Sequence, residues 1–176
     1  NDLSERRKMT VDIEKRRVYA IVDFDALDQN VQAMEEKLPQ DVGMMAVIKT
    51  NAYGHGAKAI AKHLEDNDRI SGYAVATAEE ALELRKAGIG KMILILGYVF
   101  EKDYEDLILQ DIRFGIYRKD VAQALDAAAE KCHKKALIHI KIDTGMHRIG
   151  YPVCQESVEE IKEIAGLKHL CLEGIF

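Results

Sequence analysis

Prolines and cysteines are scarce in this sequence, and each shortage closes off a class of protein. Two prolines in 176 residues, with no low-complexity stretch, leave no internal linker and argue for one continuous domain over residues 17–176. The three cysteines, Cys132, Cys154 and Cys171, are odd in number and lack metal or disulfide spacing. A disulfide scaffold is therefore excluded, and idle thiols in a reducing cytoplasm are expected. No stretch approaches the roughly eighteen apolar residues of a membrane helix, and no apolar signal region opens the chain. Positive charge is not in excess either. The 25 Lys and Arg residues against 30 Asp and Glu leave a net charge of −5 and no electrostatic case for nucleic acid.

What remains is an ordinary globular composition, 48% hydrophobic and 31% charged, with enough length for one sizeable core. Residues 1–16 are polar, carry small basic clusters such as Arg6-Arg7-Lys8, and read as a solvated tail. Beyond them, apolar runs predict strands at Tyr19–Val22, Met44–Ile48, Tyr73–Ala76, Met92–Leu96, Arg113–Ile116, Leu137–Ile142 and Leu170–Ile175. Helical spacing predicts Ala26–Leu38 with Asp25 as N-cap, Ala57–Leu64, Ala78–Ala87, Lys102–Leu109, Lys119–Lys131 and Gln155–Ile164. Thr77 with Glu80 forms a capping box for the third of these, and Gly88 stops it. Strict strand–helix alternation means an α/β fold with a parallel sheet, either open and doubly wound or a barrel. No Gly-x-Gly-x-x-Gly fingerprint appears, which weakens a dinucleotide-binding reading.

The most informative segment is Ala46–Gly56, which reads Ala-Val-Ile-Lys-Thr-Asn-Ala-Tyr-Gly-His-Gly. It places Lys49 at the C-terminal lip of an apolar strand, where desolvation enlarges the neutral, nucleophilic fraction of an amine. Tyr53 adds a hydroxyl, and Gly54 and Gly56 let backbone amides approach a phosphate. An amine beside a phosphate cradle suits pyridoxal 5′-phosphate (PLP). The same residues also fit a strand ending in a snorkelling lysine over a glycine turn. The loop after Leu137–Ile142, with Asp143 to Arg148, falls at the same C-terminal end of the strands, where barrels gather reactive groups. That coincidence favours the barrel.

Val47 to Gly56 resembles the PLP-binding signature of the alanine racemase family, with Ile48 and Thr50 at its variable places. A second motif of that family is matched by Lys141-Ile142-Asp143-Thr144-Gly145-Met146-His147-Arg148-Ile149-Gly150, about ninety residues further on. The resemblance implies a PLP-binding (β/α)8 barrel of TIM type. About six of its eight strands would be present here, with Tyr19–Val22 pairing to a C-terminal β domain absent from this chain. By resemblance, Lys49 forms the Schiff base with PLP, Tyr53 binds the cofactor phosphate, and Arg148 lies beside the phenolate oxygen and the substrate carboxylate. Lys141 matches a lysine that several members carry as a carbamate facing that arginine. The implied activity is interconversion of L- and D-alanine, supplying D-alanine for peptidoglycan, in a cytoplasmic homodimer. The chain would then be the N-terminal part of a longer racemase, with the ring-stacking histidine and second catalytic tyrosine lying beyond Phe176.

Other readings stand beside this one. A serine-preferring racemase of the same family would share both motifs. A non-catalytic PLP-binding barrel protein needs one lysine and no second base, and a basic amino-acid decarboxylase of related fold lacks the Asp-Thr-Gly-Met motif. His147 departs from the family, where glycine is common. His139, Asp143 and His147 recur every four residues, but His139 falls in a strand and His147 in a loop, so no metal site is expected. His55 reads as a hydrogen-bonding support for the Tyr53 turn, Asp143 as a turn cap or a partner for a cation, and His63, His133 and His169 as solvated.

Overall fold

The computed structural model describes residues 17–176; the tail expected over residues 1–16 lies outside them. The chain separates into two units, the first ending at Glu36 and the second running from Lys37 to Phe176. In the first, α1 spans Phe24–Glu35. Its N-cap is Asp23, two residues before the expected Asp25. Asp23 keeps an extended backbone, so its carboxylate accepts from the amides of Asp25 and Ala26, at 2.9 and 3.1 Å. The strand expected at Tyr19–Val22 is absent, and these residues have no regular structure. A strand exists only through a partner's ladder, and none of the described strands pairs with this stretch.

The second unit is a six-stranded parallel sheet in the order β1-β2-β3-β4-β5-β6. The strands are β1 (Met44–Val47), β2 (Ile70–Val75), β3 (Met92–Ile95), β4 (Arg113–Ile116), β5 (Ala136–Ile140) and β6 (Leu170–Ile175). Between them run the short turn α2 (Lys49–Tyr53) and helices α3 (Ala57–Leu64), α4 (Ala78–Lys86), α5 (Tyr104–Leu109), α6 (Lys119–Lys131) and α7 (Gln155–Ala165). Strand order never reverses, so the switch point of a doubly wound sheet is missing. With right-handed crossovers, every helix then falls on one face, which is the wall of a barrel.

β5 displays the two faces most plainly. Ala136, Ile138 and Ile140 are fully buried toward the helices, while Leu137, His139 and Lys141 alternate with them on the other face. β2 begins three residues before the expected Tyr73. Ser71-Gly72 interrupts the apolar pattern, yet a Cβ at Gly72 would lie 2.5 Å from the Met92 carbonyl oxygen on β3. The break in the pattern is thus a packing requirement within the strand.

Long polar side chains lock the N-terminal ends of the strands. Arg69 donates to the carbonyls of Pro39 and Gln40 at 2.9 and 2.5 Å. Glu65 accepts from the amides of Gly90 and Lys91 at 2.8 and 2.9 Å, and Lys91 Nζ donates to the carbonyls of Asn67 and Ile70 at 2.6 and 2.7 Å. Arg85, in the last turn of α4, donates to the carbonyls of Ile89, Lys91 and Gln110 at 2.7, 2.7 and 3.1 Å. A cation there also complements the helix C-terminus. His169, expected in solvent, instead holds Asp126 through its amide at 2.7 Å and its ring at 3.3 Å, tying the start of β6 to α6.

Replacing Arg85 with methionine keeps the aliphatic stem and removes the donors. Loss of these charge-assisted bonds should cost about 3 kcal/mol, read as a lower urea midpoint at unchanged m-value. A midpoint equal to that of the parent protein would contradict the role given to Arg85.

Candidate active site

The site begins where β1 ends. The amide of Ile48 extends the ladder to the Ala74 carbonyl at 2.9 Å, and Ile48 is buried. After Lys49 the backbone reverses hand: Thr50, Asn51, Ala52 and Tyr53 have φ of 55°, 54°, 53° and 53°. A left-handed turn costs L-residues about 1–2 kcal/mol each, so four in succession need external support, and a β-branched residue such as Thr50 is the least suited to it. The support is visible. Ala52 N donates to Ile48 O at 2.8 Å, and Gly56 N to Asn51 O at 2.9 Å. Asn51 Oδ1 accepts from Ala57 N at 2.9 Å, joining the turn to the start of α3. His55 Nδ1 lies 2.9 Å from the Ala52 carbonyl, the supporting role expected of it.

Glu80 completes the anchorage. Its Oε1 accepts from Thr50 N at 2.5 Å and its Oε2 from Ala76 N at 2.8 Å. In the capping box expected at Thr77, Glu80 would reach back to the cap residue. Only half of that pattern is present: Thr77 Oγ1 accepts from Glu80 N at 3.4 Å, while the Glu80 carboxylate spans two other segments. The amides of Gly54, His55 and Gly56 all donate within the turn. The visible work of Gly54 and Gly56 is conformational, at φ of 90° and 94°.

The second half of the site is the lobe after β5. The amides of Gly145 and His147 donate to Asp143 Oδ1 at 3.0 and 2.9 Å; these bonds hold the Asp143 carboxyl below the usual carboxylate range. Tyr151 N donates to Lys141 O, and Asp143 N to Tyr151 O, both at 2.8 Å. The lobe closes tightly at Gly150, where a Cβ would stand 2.5 Å from Asp143 N. Tyr151 anchors it to α7 by donating its hydroxyl to Glu160 Oε2 at 2.9 Å. His147, the departure from the family pattern, is exposed and lies 3.3 Å from Asp143 Oδ2.

Lys141 links the two halves. Burial lowers its pKa, and the charges of Arg148 and then Lys49 lower it further. Of the four residues singled out in the sequence, Lys141 therefore feels two others, Arg148 and Lys49, at the C-terminal end of the sheet. Lys141 Nζ stands 4.7 Å from the centroid of the Phe176 ring, a cation–π seat. Tyr53 is exposed at the far end of the left-handed turn. Across β4, β5 and β6 lies a cluster absent from the sequence reading. Arg113 grips Glu173 through Nε and Nη2 at 2.9 and 3.3 Å, with His139 Nε2 3.8 Å from Glu173. Burial lowers the His139 pKa more than Glu173 raises it. Strand alternation would have put His139 on the inner face, but its partners are set by the β5–β6 register, which slips between Ile138 and His139.

A family model described as alanine racemase, N-terminal domain, matches residues 22–176. The chain is 40% identical over 161 residues to the alanine racemase of Methanococcus maripaludis, covering 90% of this chain and 42% of that protein. It is 41% identical over 155 residues to alanine racemase 1 of Caldanaerobacter subterraneus, covering 88% and 40%. A solved alanine racemase of Clostridium difficile superposes with a TM-score of 0.84 at 41% identity, over 86% of this chain and 40% of that one. The chain thus spans about two fifths of the length of the curated relatives it matches.

The electrostatics at Lys141 have a measurable consequence. Its lowered pKa keeps more of it neutral at mildly alkaline pH, so competitive acetylation read by peptide mass should place its titration below the ordinary lysine value of about 10.4. Arg148→Gln removes one repelling charge and should move that titration upward. A Lys141 that titrates normally in both proteins would show that the three cations do not converge.

Proposed function

The chain belongs to the alanine racemase family through its N-terminal domain, and on that premise we propose that its protein interconverts L- and D-alanine with PLP held on Lys49. The observation that supports the reading is the place of Lys141, half-buried at the end of the sheet, where burial first and the charges of Arg148 and Lys49 next lower its pKa. Three cations at a strand terminus suit an anionic ligand, and an amine among them suits an aldehyde. Lys49 would hold the cofactor, Tyr53 would bind its phosphate, and Arg148 would sit beside its phenolate oxygen. When bound, PLP supplies the electron sink that makes the Cα proton of an amino acid removable.

The residues of this chain do the rest of the work on one face. Lys49 Nζ takes or returns the Cα proton. Arg148 binds the substrate carboxylate, which directs the Cα–H bond toward that nitrogen. The opposite face needs its own base. We assign it to a tyrosine of a partner subunit, in the portion of the relatives beyond the matched region, so the working protein is a homodimer. We place it in the cytoplasm, supplying D-alanine for peptidoglycan. Lys141 has two available states. As an ammonium it sits over Phe176 and repels Arg148; as a carbamate it would pair with that guanidinium.

Borohydride reduction of the full-length protein with PLP, followed by peptide mass mapping, should place a pyridoxyl group on Lys49, and circular dichroism should follow inversion of L-alanine. Label on another lysine with Lys49 unmodified would overturn the assignment. L-Serine should be inverted less efficiently than L-alanine by about tenfold or more; the reverse order would favour the serine-preferring member of the family.

Carbamate formation is tested separately. Removal of dissolved CO₂, or Lys141→Ala, should lower turnover of the full-length enzyme. Unchanged kinetics in both experiments would reject the carbamate.

A further inference from the structure

Glu80 stands outside the two motifs and touches neither Arg148 nor Lys141, yet its carboxylate joins the two segments that define where Lys49 can reach. We propose that Glu80 is a positioning residue for Lys49, holding the left-handed turn against the C-terminal end of β2. The proposal rests on the reading of Lys49 as the PLP lysine.

Three observations support it. First, the bonds are short and divide one oxygen to each segment: Oε1 to the amide of Thr50, directly after Lys49, and Oε2 to the amide of Ala76, just past β2. Second, neither amide has another backbone partner, because the ladder passes from Ile48 N to Ala74 O on one side and from Leu96 N to Val75 O on the other. Without Glu80 both donors are left over at the edge of the sheet. Third, Glu80 lies in the first turn of α4, whose cap Thr77 accepts from Glu80 N. A negative charge is favoured at that helix end, so the clamp is fixed at its root as well as its tip.

The chemistry asks for a carboxylate. Two N–H groups converge on one side chain, and only a group with two acceptor atoms satisfies both. Glutamine would set its own NH2 against one of them, and aspartate is a methylene shorter. Lys49 is adjacent to the clamped amide, so freeing that amide loosens the origin of the lysine side chain while the amine itself is unchanged. The expected defect is therefore in chemistry more than in substrate binding.

The test uses the full-length protein with PLP and the variants Glu80→Gln and Glu80→Asp. In Glu80→Gln, kcat should fall by about tenfold or more with KM within about twofold of the parent. Hydrogen exchange of the peptide spanning the turn should speed up while peptides from β4 to β6 keep their protection. Glu80→Asp, keeping the charge and one amide, should fall between the two. A kcat close to the parent value in Glu80→Gln, or a loss of kcat matched by lost protection throughout β4 to β6, would overturn the positioning role. Borohydride mapping on the parent protein separates this from the premise. A pyridoxyl group away from Lys49 refutes the functional reading, and exchange at the turn then decides the clamp alone, with unaltered exchange in Glu80→Gln refuting it.

Discussion

The left-handed turn from Thr50 to Tyr53 is the constraint on which the arrangement of the site depends. Strand β1 delivers Lys49 to the end of the sheet, and the chain must then leave for α3 without carrying the lysine away. A right-handed turn would be the cheaper local solution for Thr50, Ala52 and Tyr53. The observed hand is held by contacts from outside the turn: the buried Ile48 on its N-terminal side, the Asn51 side chain on Ala57 N, and the Glu80 carboxylate on Thr50 N. Strain of this kind persists only where surrounding structure over-determines it.

The two ends of the sheet divide their labour. At the N-terminal ends, Glu65, Arg69, Arg85 and Lys91 spend their charges on backbone groups, which ties loops to strands and leaves few donors for a ligand. At the C-terminal ends, Lys141 feels the charges of both Arg148 and Lys49, and gathered cations are unfavourable to one another and favourable for an anion. Lys141 sits over the Phe176 ring, and its pKa is lowered first by burial and then by the charges of Arg148 and Lys49. The Arg113–Glu173–His139 cluster lies beneath, where the Arg113 guanidinium holds the solvent-accessible Glu173 carboxylate through two nitrogens.

Much of the fold was legible because it rests on local signals. Apolar runs marked β1 and β3 to within a residue and β4 and β6 to the residue, and Thr77 marked the start of α4. Tyr19–Val22 has the apolar pattern of a strand but forms none here, because no described strand offers it a ladder. The cap of α1 was misplaced because Asp23 and Asp25 are both suitable residues, and only the backbone angle at Asp23 decides between them. The candidate site was read from two motifs, which pointed to Lys49, Tyr53, Lys141 and Arg148. The turn's hand was not, since of its four left-handed residues only asparagine favours that region. Glu80 was missed for a different reason. Its nearest sequence signal, the capping box, accounted for it, and a contact thirty residues away leaves no mark on local spacing.

A crystal structure of the full-length protein grown with PLP tests the central claim most directly, that the left-handed turn after β1 is what presents Lys49 to an anion held with Arg148. The account predicts electron density joining Lys49 Nζ to the cofactor, positive φ retained from Thr50 to Tyr53, and the Arg148 guanidinium at the ring oxygen. A cofactor joined to another lysine, or one bound to Lys49 across a turn that has become right-handed, would contradict it.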